Sequence, residues 1–277
     1  MAMYLGDIPV GELVTDATFL HDYNVRMLNQ PPNPDGARYD LIRWRVVCQD
    51  RCNGEGALLL AESPLYFDYF DNNSLYYSEL TDFAMTRPYY VLNNASNSYQ
   101  GLIRETPKRF RDAIIPISLY QGGHRPTTGV RYFILSQVEY GGGTSGIDGN
   151  HGNPIDYFNG WDNRFRRAPT VNQLITNYNG SSPILTRSPE YGVNRGARAM
   201  TNYMPGENPT FKAYHSGLII PAVVLRKDIP VSDFEFMGAK LLFDTDLPPL
   251  EESINVKVNG VWRPAPKLAI KKDSLTQ

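Results

Sequence analysis

The sequence has very little cysteine: only Cys48 and Cys52 occur among its 277 residues. Two thiols cannot build the disulfide framework of a small secreted domain, and a C-x3-C pair without a second ligand pair does not predict a zinc site. Because disulfides are rare in reducing compartments, we expect both thiols to be reduced. The sequence predicts no metal and no other cofactor.

The sequence also lacks a strong charge of either sign and any long apolar run. Its formal net charge is −2 and its pI about 6.1, so no overall positive field attracts nucleic acid. The N-terminal residues lack the basic and apolar regions of a secretory signal, and the most apolar stretch, residues 218–225, is far shorter than a membrane span of roughly 20 residues. We therefore expect a soluble protein made in a cytoplasm, with no membrane partner.

Glycine, proline and aromatic residues are abundant instead. The chain has 23 Gly and 21 Pro, and 12% of its residues are aromatic. Each Pro removes a backbone donor and each Gly loosens an element, so this composition favours short strands and many turns over helices. We predict a mainly β fold: an antiparallel sandwich or jelly-roll-like domain with long loops and at most one or two short helices. Residues 1–250 are predicted to form this domain, and residues 251–277 a C-terminal hairpin and arm.

Alternation of apolar and polar residues gives the individual elements. Residues 39–47 predict a strand whose one apolar face carries Ile42, Trp44 and Val46, and the turn at residues 53–56 predicts a hairpin with a strand at 57–61. Residues 218–225 predict a buried strand with an edge or bulge at Pro221. Residues 130–140 give the clearest strand pattern, residues 15–20 suggest the start of a short helix, and the basic residues 104–111 suggest a solvated loop.

The loop predicted at residues 140–163 contains most of the motifs that resemble a functional site. Gly141-x-Gly143-x-x-Gly146 matches a dinucleotide fingerprint, but turn-forming residues follow where a helix is required. The Gly and Glu positions of a hand-type calcium loop are also wrong, although an irregular calcium site remains open as an alternative. That site would use Asp148, Asn150 and Asp156. The loop is too long to be an idle connection, so we interpret it as a contact loop anchored by Trp161.

An arginine-rich segment follows this loop. From residue 164 to residue 212 positive side chains outnumber negative ones, and glycine, asparagine, proline and tyrosine separate them. Such a segment is typical of a solvated surface or of paired charges at a subunit contact. Contact with a nucleic-acid backbone through residues 164–198 is the alternative, and no other nucleic-acid partner is predicted.

The C-terminal residues 253–265, SINVKVNGVWRPA, contain the pattern V-x-V-N-G-x-W. This pattern resembles one that recurs near the ends of tailed-bacteriophage virion proteins. The resemblance implies a non-enzymatic structural subunit of the tail, neck or head–tail junction, which assembles into a homo-oligomeric ring or tube. Its partners would be copies of itself and other virion proteins, and its location the virion, assembled in the host cytoplasm. The residues predicted for these contacts are Tyr157, Trp161, Arg164, Arg166, Arg167, Arg195, Arg198 and Trp262.

Two other classes of function stay open. A carbohydrate-binding module, or a receptor-binding virion component, would stack a sugar on Trp161 and Tyr157. A glycan-cleaving enzyme would need a pair of carboxylates, but sequence spacing cannot identify such a pair because its geometry is set in space. No G-x-S-x-G motif is present, and no catalytic residue is predicted.

Overall fold

The structure is a computed structural model and is described in separate stretches of the chain. The described residues are 2–22, 39–69, 83–94, 101–120, 126–141, 152–159, 184–189, 196–200, 210–212, 216–236, 238–243, 255–258 and 261–264. The chain divides into two compact units, Met1–Phe243 and Asp244–Gln277, and each is described by itself.

An eight-stranded sheet forms the centre of the first unit, with strand order β1-β14-β15-β2-β3-β4-β13-β8. Its strands are antiparallel except for the parallel pair of β15 with β2. In chain order they are β1 (Met3–Tyr4), β2 (Leu13–Asp22), β3 (Tyr39–Arg51), β4 (Gly56–Ala61), β8 (Tyr132–Phe133), β13 (Ala222–Arg226), β14 (Pro230–Phe236) and β15 (Ala239–Leu242).

A second, five-stranded sheet has the order β11-β10-β9-β12-β5 and contains one parallel pair, β12 with β9. Its strands are β5 (Tyr66–Tyr69), β9 (Ile184–Pro189), β10 (Gly196–Met200), β11 (Thr210–Lys212) and β12 (Ser216–Ile219). A small sheet pairs β6 (Ile117–Leu119) with β7 (Thr127–Val130). The described helices are α1 (Arg87–Asn93), α2 (Leu102–Glu105) and α3 (Lys108–Ala113), with short 3₁₀ turns at Leu5–Asp7, Cys52–Gly54, Phe83–Met85 and Asp156–Asn159.

The mainly β prediction is confirmed, and the sheets are arranged in a sandwich-like fold. The two parallel pairs make each large sheet mixed and not purely antiparallel. The described α-helices number three, one more than the sequence predicted, and they fall together between Arg87 and Ala113. No helix in the described part of the chain is long and apolar enough to cross a membrane.

Strands β4 and β13 lie at the middle of the fold. All six residues of β4 are buried, as are the first four of β13, so both faces of this strand pair are covered. The single strand predicted at residues 218–225, with an edge or bulge at Pro221, is wrong: at Pro221 the chain leaves β12 of one sheet and enters β13 of the other. The Ala61 amide donates to the Pro221 carbonyl at 2.9 Å, and the Leu65 amide donates to Ile219 at 3.0 Å. Hydrogen bonding therefore continues around the corner that joins the two sheets.

Strand β3 confirms the predicted alternation. Ile42, Trp44 and Val46 are fully buried on one face, whereas Arg43 and Arg45 are only half-buried. The Trp44 ring stacks on Tyr132 at 6.1 Å and 20°, and it lies 5.7 Å from the ring of Phe110. This face of the sheet is thus covered by an aromatic cluster to which α3 contributes.

The solvated loop predicted at residues 104–111 is wrong. The charged residues Arg104, Lys108 and Arg111 are exposed, but they belong to α2 and α3, and Phe110 between them is fully buried. The charged residues around Phe110 led to the prediction of a solvated loop although this one apolar residue is buried. That residue anchors the helix on the sheet.

The short helix suggested at residues 15–20 is also wrong, because these residues belong to β2. Thr15 and Thr18 are β-branched, which favours a strand, and β2 pairs with β3 along most of its length. A register shift between Thr15 and Leu20 marks a bulge. Within it, Asp16 Oδ1 accepts hydrogen bonds from the Thr18 amide and hydroxyl at 2.8 and 2.6 Å.

The single strand predicted at residues 130–140 is wrong as well. The chain forms the end of β7, then β8, and then a turn. Residues 132–140 are all buried, so the alternation does not reflect one buried and one wet face. The Tyr140 amide instead donates to the Ser136 carbonyl at 3.2 Å, and the Gly141 amide to the Val138 carbonyl at 2.8 Å.

Both predicted hairpins are confirmed. Between β3 and β4 the residues Cys52, Asn53 and Gly54 have φ of +52°, +58° and +87°, a left-handed turn that Asn and Gly accommodate well. In the second unit, β16 (Asn255–Val258) pairs with β17 (Val261–Pro264) in the register Val258↔Val261.

The aromatic cluster gives a test of how α3 is held. We expect Phe110→Ala to destabilise the protein by about 3–5 kcal/mol, because it leaves a cavity against Trp44 and Phe19. Phe234→Ala is the matched control, since Phe234 is 54% exposed and its loss leaves no cavity. Urea unfolding followed by tryptophan fluorescence measures both. Equal losses for the two variants would contradict the packing of α3.

Asp16 gives a pH test. Burial raises its pKa above the ordinary value of 3.8, outweighing the hydrogen bonds from Thr18 and the charge of Arg109, which lower it. The folded protein therefore binds this proton more tightly than the unfolded chain. That stabilisation is complete below the unfolded pKa and is lost as pH rises through the folded pKa. Asp16→Asn keeps an oxygen acceptor for Thr18 but does not titrate, so its stability relative to wild type should increase as pH rises from acid to neutral.

Urea midpoints at a series of pH values measure this difference. Asp112→Asn is the control of opposite sign, because the hydrogen bond from Lys108 lowers the pKa of exposed Asp112. That variant should lose a little stability relative to wild type as pH rises. A stability difference for Asp16→Asn that does not change with pH would refute the assignment.

Candidate functional site: a charged cleft beside the central sheet

A cleft of about 460 Å³ lies beside the eight-stranded sheet. Phe133 and Val224, from β8 and β13, line its apolar part, and residues 116–120 around β6 form one side. The charged residues that line it are Arg51, at the end of β3, Glu139 and Arg187. Because successive strand residues point to opposite faces, Phe133 lies on the face opposite to Tyr132 and the aromatic cluster. The cleft and the helices are therefore on different sides of the sheet.

A buried ion pair forms the inner part of the cleft. Arg187 of β9 and Glu139 are 2% and 3% exposed, and Arg187 Nη1 donates a hydrogen bond to Glu139 Oε2. Oε2 also accepts from the Ser136 amide at 2.9 Å, and Arg187 Nη1 lies 3.4 Å from the Ile134 carbonyl. A buried pair recovers its desolvation cost only with such additional hydrogen bonds. The pair joins β9 of the five-stranded sheet to the turn at residues 136–140, which follows β8 of the eight-stranded sheet.

The local sequence explains how Glu139 is held. Ser136 and Glu139 form a reciprocal pair: the Ser136 amide donates to the Glu139 carboxylate, and the Glu139 amide donates to Ser136 Oγ at 3.0 Å. This is the S-x-x-E spacing of a capping box, used here in a turn. Two further bonds fix the turn to β9, from the Arg187 amide to Leu135 at 3.1 Å and from the Gln137 amide to Ser188 Oγ at 2.9 Å.

The segment 152–159 covers this turn. The Ile155 amide donates to the Glu139 carbonyl at 3.1 Å, and the Phe158 ring lies 4.9 Å from Tyr140. Gly152 has φ +90°, and a Cβ there would lie 3.0 Å from Glu139 Oε1, so a glycine permits this close approach. Ile155 and Phe158 are buried. This part of the predicted contact loop is therefore packed in the core.

Arg51 is held more loosely than Arg187. Its side chain is 29% exposed, and its Nη2 lies 3.3 Å from Glu139 Oε1, beyond the usual range for a strong charged hydrogen bond. The residue ends β3 immediately before the left-handed turn at Cys52 and Asn53. The hairpin thus places the Arg51 guanidinium at the cleft and leaves it partly exposed to solvent.

Cys52 also lines the cleft, and both cysteines are free thiols. Burial raises the pKa of the Cys52 thiol, Glu55 adds to the effect, and Arg51 only partly opposes it. A thiol with a raised pKa is protonated at neutral pH and is a poor nucleophile. The described lining residues can therefore recognise charge through their guanidinium groups. They include no activated thiolate.

Of the eight residues predicted from the sequence, Tyr157 is the one whose side chain the structure describes, and it does not line this cleft. Tyr157 lies in the 3₁₀ turn Asp156–Asn159 and is half-buried, with its ring edge-on to Phe158 at 5.1 Å and its Cε2 3.7 Å from where a Gly11 Cβ would lie. Arg198 is placed in β10 and Trp262 in β17 by the backbone. Trp161, Arg164, Arg166, Arg167 and Arg195 lie outside the described residues. The contact role of all eight stays a prediction.

The alternative of an irregular calcium site also stays a prediction, since Asp148 and Asn150 lie outside the described residues. Asp156 is exposed and accepts a hydrogen bond from Asn159 Nδ2 at 3.2 Å. The described part of the chain contains no group of three or more His, Cys, Asp or Glu side chains able to hold a metal ion.

Comparison with known proteins gives no relative. No protein family, no curated protein and no solved structure matches the chain.

The buried ion pair gives a direct test of the site. Glu139→Gln removes the charge opposite Arg187 at constant size, and we expect a loss of about 3–5 kcal/mol, as for other broken buried pairs. Asp228→Asn is the control, because that carboxylate is 73% exposed and its ion pair with Arg226 Nε is long, at 3.5 Å. Denaturant titration measures both. Equal stability of Glu139→Gln and wild type would show that the pair is not buried.

Proposed function

We propose that this chain is a non-enzymatic structural subunit of a bacteriophage virion, in the tail, neck or head–tail junction. In this proposal copies of the chain assemble into a ring or tube through loops and the C-terminal arm. The observation that carries the proposal is the second compact unit, Asp244–Gln277, in which the described elements are the hairpin strands β16 and β17.

The size of this hairpin is the first argument. Each strand has four residues, and an isolated two-stranded hairpin is at best marginally stable in water. The described hairpin would therefore be stabilised by another surface to pack against. Exchange of such an element between identical subunits is a low-cost route to an oligomer, so we infer that a neighbouring copy supplies this surface.

The edges of the eight-stranded sheet are unfavourable for pairing with a strand of another copy. This supports assembly through an arm instead. Edge strands β1 and β8 have two residues each. At β8, the Asn93 side chain donates to the Tyr132 carbonyl at 2.7 Å and accepts from the Tyr132 amide at 3.0 Å, in place of a further strand. On β14, exposed Asp233 and Glu235 lie at a register shift. Short, bulged and charged edges disfavour uncontrolled pairing between sheets.

Exposed aromatic residues add a second kind of contact. Tyr4, Tyr90 and Tyr120 are 43%, 43% and 47% exposed on the first unit. Tyrosine combines an apolar ring with a polar tip, so it suits contacts that are wet in the free subunit and covered after assembly. In the proposal these rings, Tyr157, and the arginines of residues 164–198 contact neighbouring copies.

The oligomeric state tests the proposal. We expect the full chain to form oligomers of defined mass as its concentration rises, measured by sedimentation velocity and light scattering. Trp262→Ala, in β17, should shift this equilibrium towards monomer, because an aromatic residue is removed from the arm. Asp228→Asn, which changes a carboxylate that is 73% exposed, is the control and should leave the mass distribution unchanged.

A chain that stays monomeric at every concentration would contradict the proposal. Binding to a glycan array that is lost in Trp161→Ala would instead favour the carbohydrate-binding alternative. Detection of the chain by mass spectrometry in purified phage particles would test the virion location separately from the oligomeric state.

A further inference from the structure

We propose that the cleft binds a small organic oxyanion, a carboxylate or phosphate group carried on a compact apolar body, with Arg51 as its principal contact. This inference is independent of the assembly role. The cleft volume of about 460 Å³ falls within the range of small-molecule sites, roughly 300–1,000 Å³.

The hydrogen-bonding capacity of Arg51 is the main argument. A guanidinium has five N–H donors in a planar fork. Within the described part of the chain, the Arg51 guanidinium has one acceptor, Glu139 Oε1 at 3.3 Å. Most of its donors therefore remain for a ligand. The fork matches the paired oxygens of a carboxylate or phosphate, which makes Arg the usual residue for recognising these groups.

Glu139 does not occupy the remaining Arg51 donors. Among the described residues its Oε1 is the single acceptor near Arg51, and its Oε2 is hydrogen-bonded to Arg187 in the buried pair. Oε2 accepts from Arg187 and from the Ser136 amide, and these bonds hold the carboxylate in place. The turn and the close approach of Gly152 hold the carboxylate on the inner side of the cleft. The charged residues of the described lining, Arg51, Arg187 and Glu139, include one more positive group than negative groups. The partly exposed guanidinium of Arg51 therefore favours an anion over a cation at its end of the cleft.

The remaining lining residues define the rest of the ligand. Asn153 and Ser118 are exposed polar residues that line the cleft, and they add neutral donors to it. Phe133 and Val224 are buried apolar residues of the sheet that also line it. An oxyanion attached to an apolar ring would use both parts. It should bind more tightly than the inorganic ion alone.

Isothermal titration calorimetry at low salt with two probes, inorganic phosphate and phenyl phosphate, tests the site. We expect the wild-type chain to bind both, and phenyl phosphate more tightly. Arg51→Gln should weaken phenyl phosphate binding about ten- to hundredfold, the scale of one charge-assisted interaction. Arg51→Lys, which keeps the charge but loses the fork, should lie between these affinities. Arg111→Gln, exposed on α3, is the matched control and should bind as wild type does.

A second variant keeps the test decisive if Arg51→Gln lowers stability. Asn153→Asp places a negative charge at an exposed position of the cleft, so the fold is retained while anion binding should weaken. Absence of binding by the wild-type chain would overturn the inference, as would unchanged affinity in both Arg51→Gln and Asn153→Asp. Equal weakening in Arg111→Gln would show binding by general surface charge and would also overturn it.

Discussion

The double-sided burial of β4 and β13 is the constraint on which the rest of the first unit depends. A strand pair covered on both faces cannot be the outer layer of a sandwich, so other elements must pack on each side of it. On one side α3 packs through Phe110 against Phe19 and Trp44, which are aromatic residues of neighbouring strands in the same sheet. On the other side, Val224 of β13 lines the cleft together with Glu139 of the turn at residues 136–140 and Gly152 of the segment 152–159. The same two strands lead around the corner at Pro221 into the second sheet, and the Arg187–Glu139 pair makes a further connection between the sheets.

Elements with local causes could be predicted from the sequence. The hairpin of β3 and β4 follows from Asn53 and Gly54, which tolerate positive φ, and the hairpin of β16 and β17 from the Asn259-Gly260 pair between two alternating strands. Pro221 lacks a backbone donor, and the chain changes sheets there. The errors arose where tertiary contacts decide the structure. Residues 15–20 are a strand because β3 lies beside them, and residues 134–140 alternate in polarity yet are buried on all sides.

The cleft could not be predicted as a whole. Arg51, Glu139 and Arg187 are far apart in the sequence, and no short motif connects them. One signal was present: Ser136 and Glu139 have the spacing of a capping box, which indicates a turn where the alternation indicated a strand. Recognising it would have placed Glu139 correctly but not its partners. Burial of an arginine such as Arg187, at 2% exposure, depends on the neighbours that the fold brings to it, and these are visible only in three dimensions.

The strand order also determines when the fold can form during synthesis. Met3 pairs with Val231, β2 with β15, and β4 with β13, so β1 and one edge each of β2 and β4 acquire these neighbours only after residues 222–242 have left the ribosome. Pairings of such large sequence separation require closure of long loops and slow folding. Until then β4, apolar along its length, has one of its two edges without its native neighbour, a state prone to association with other chains.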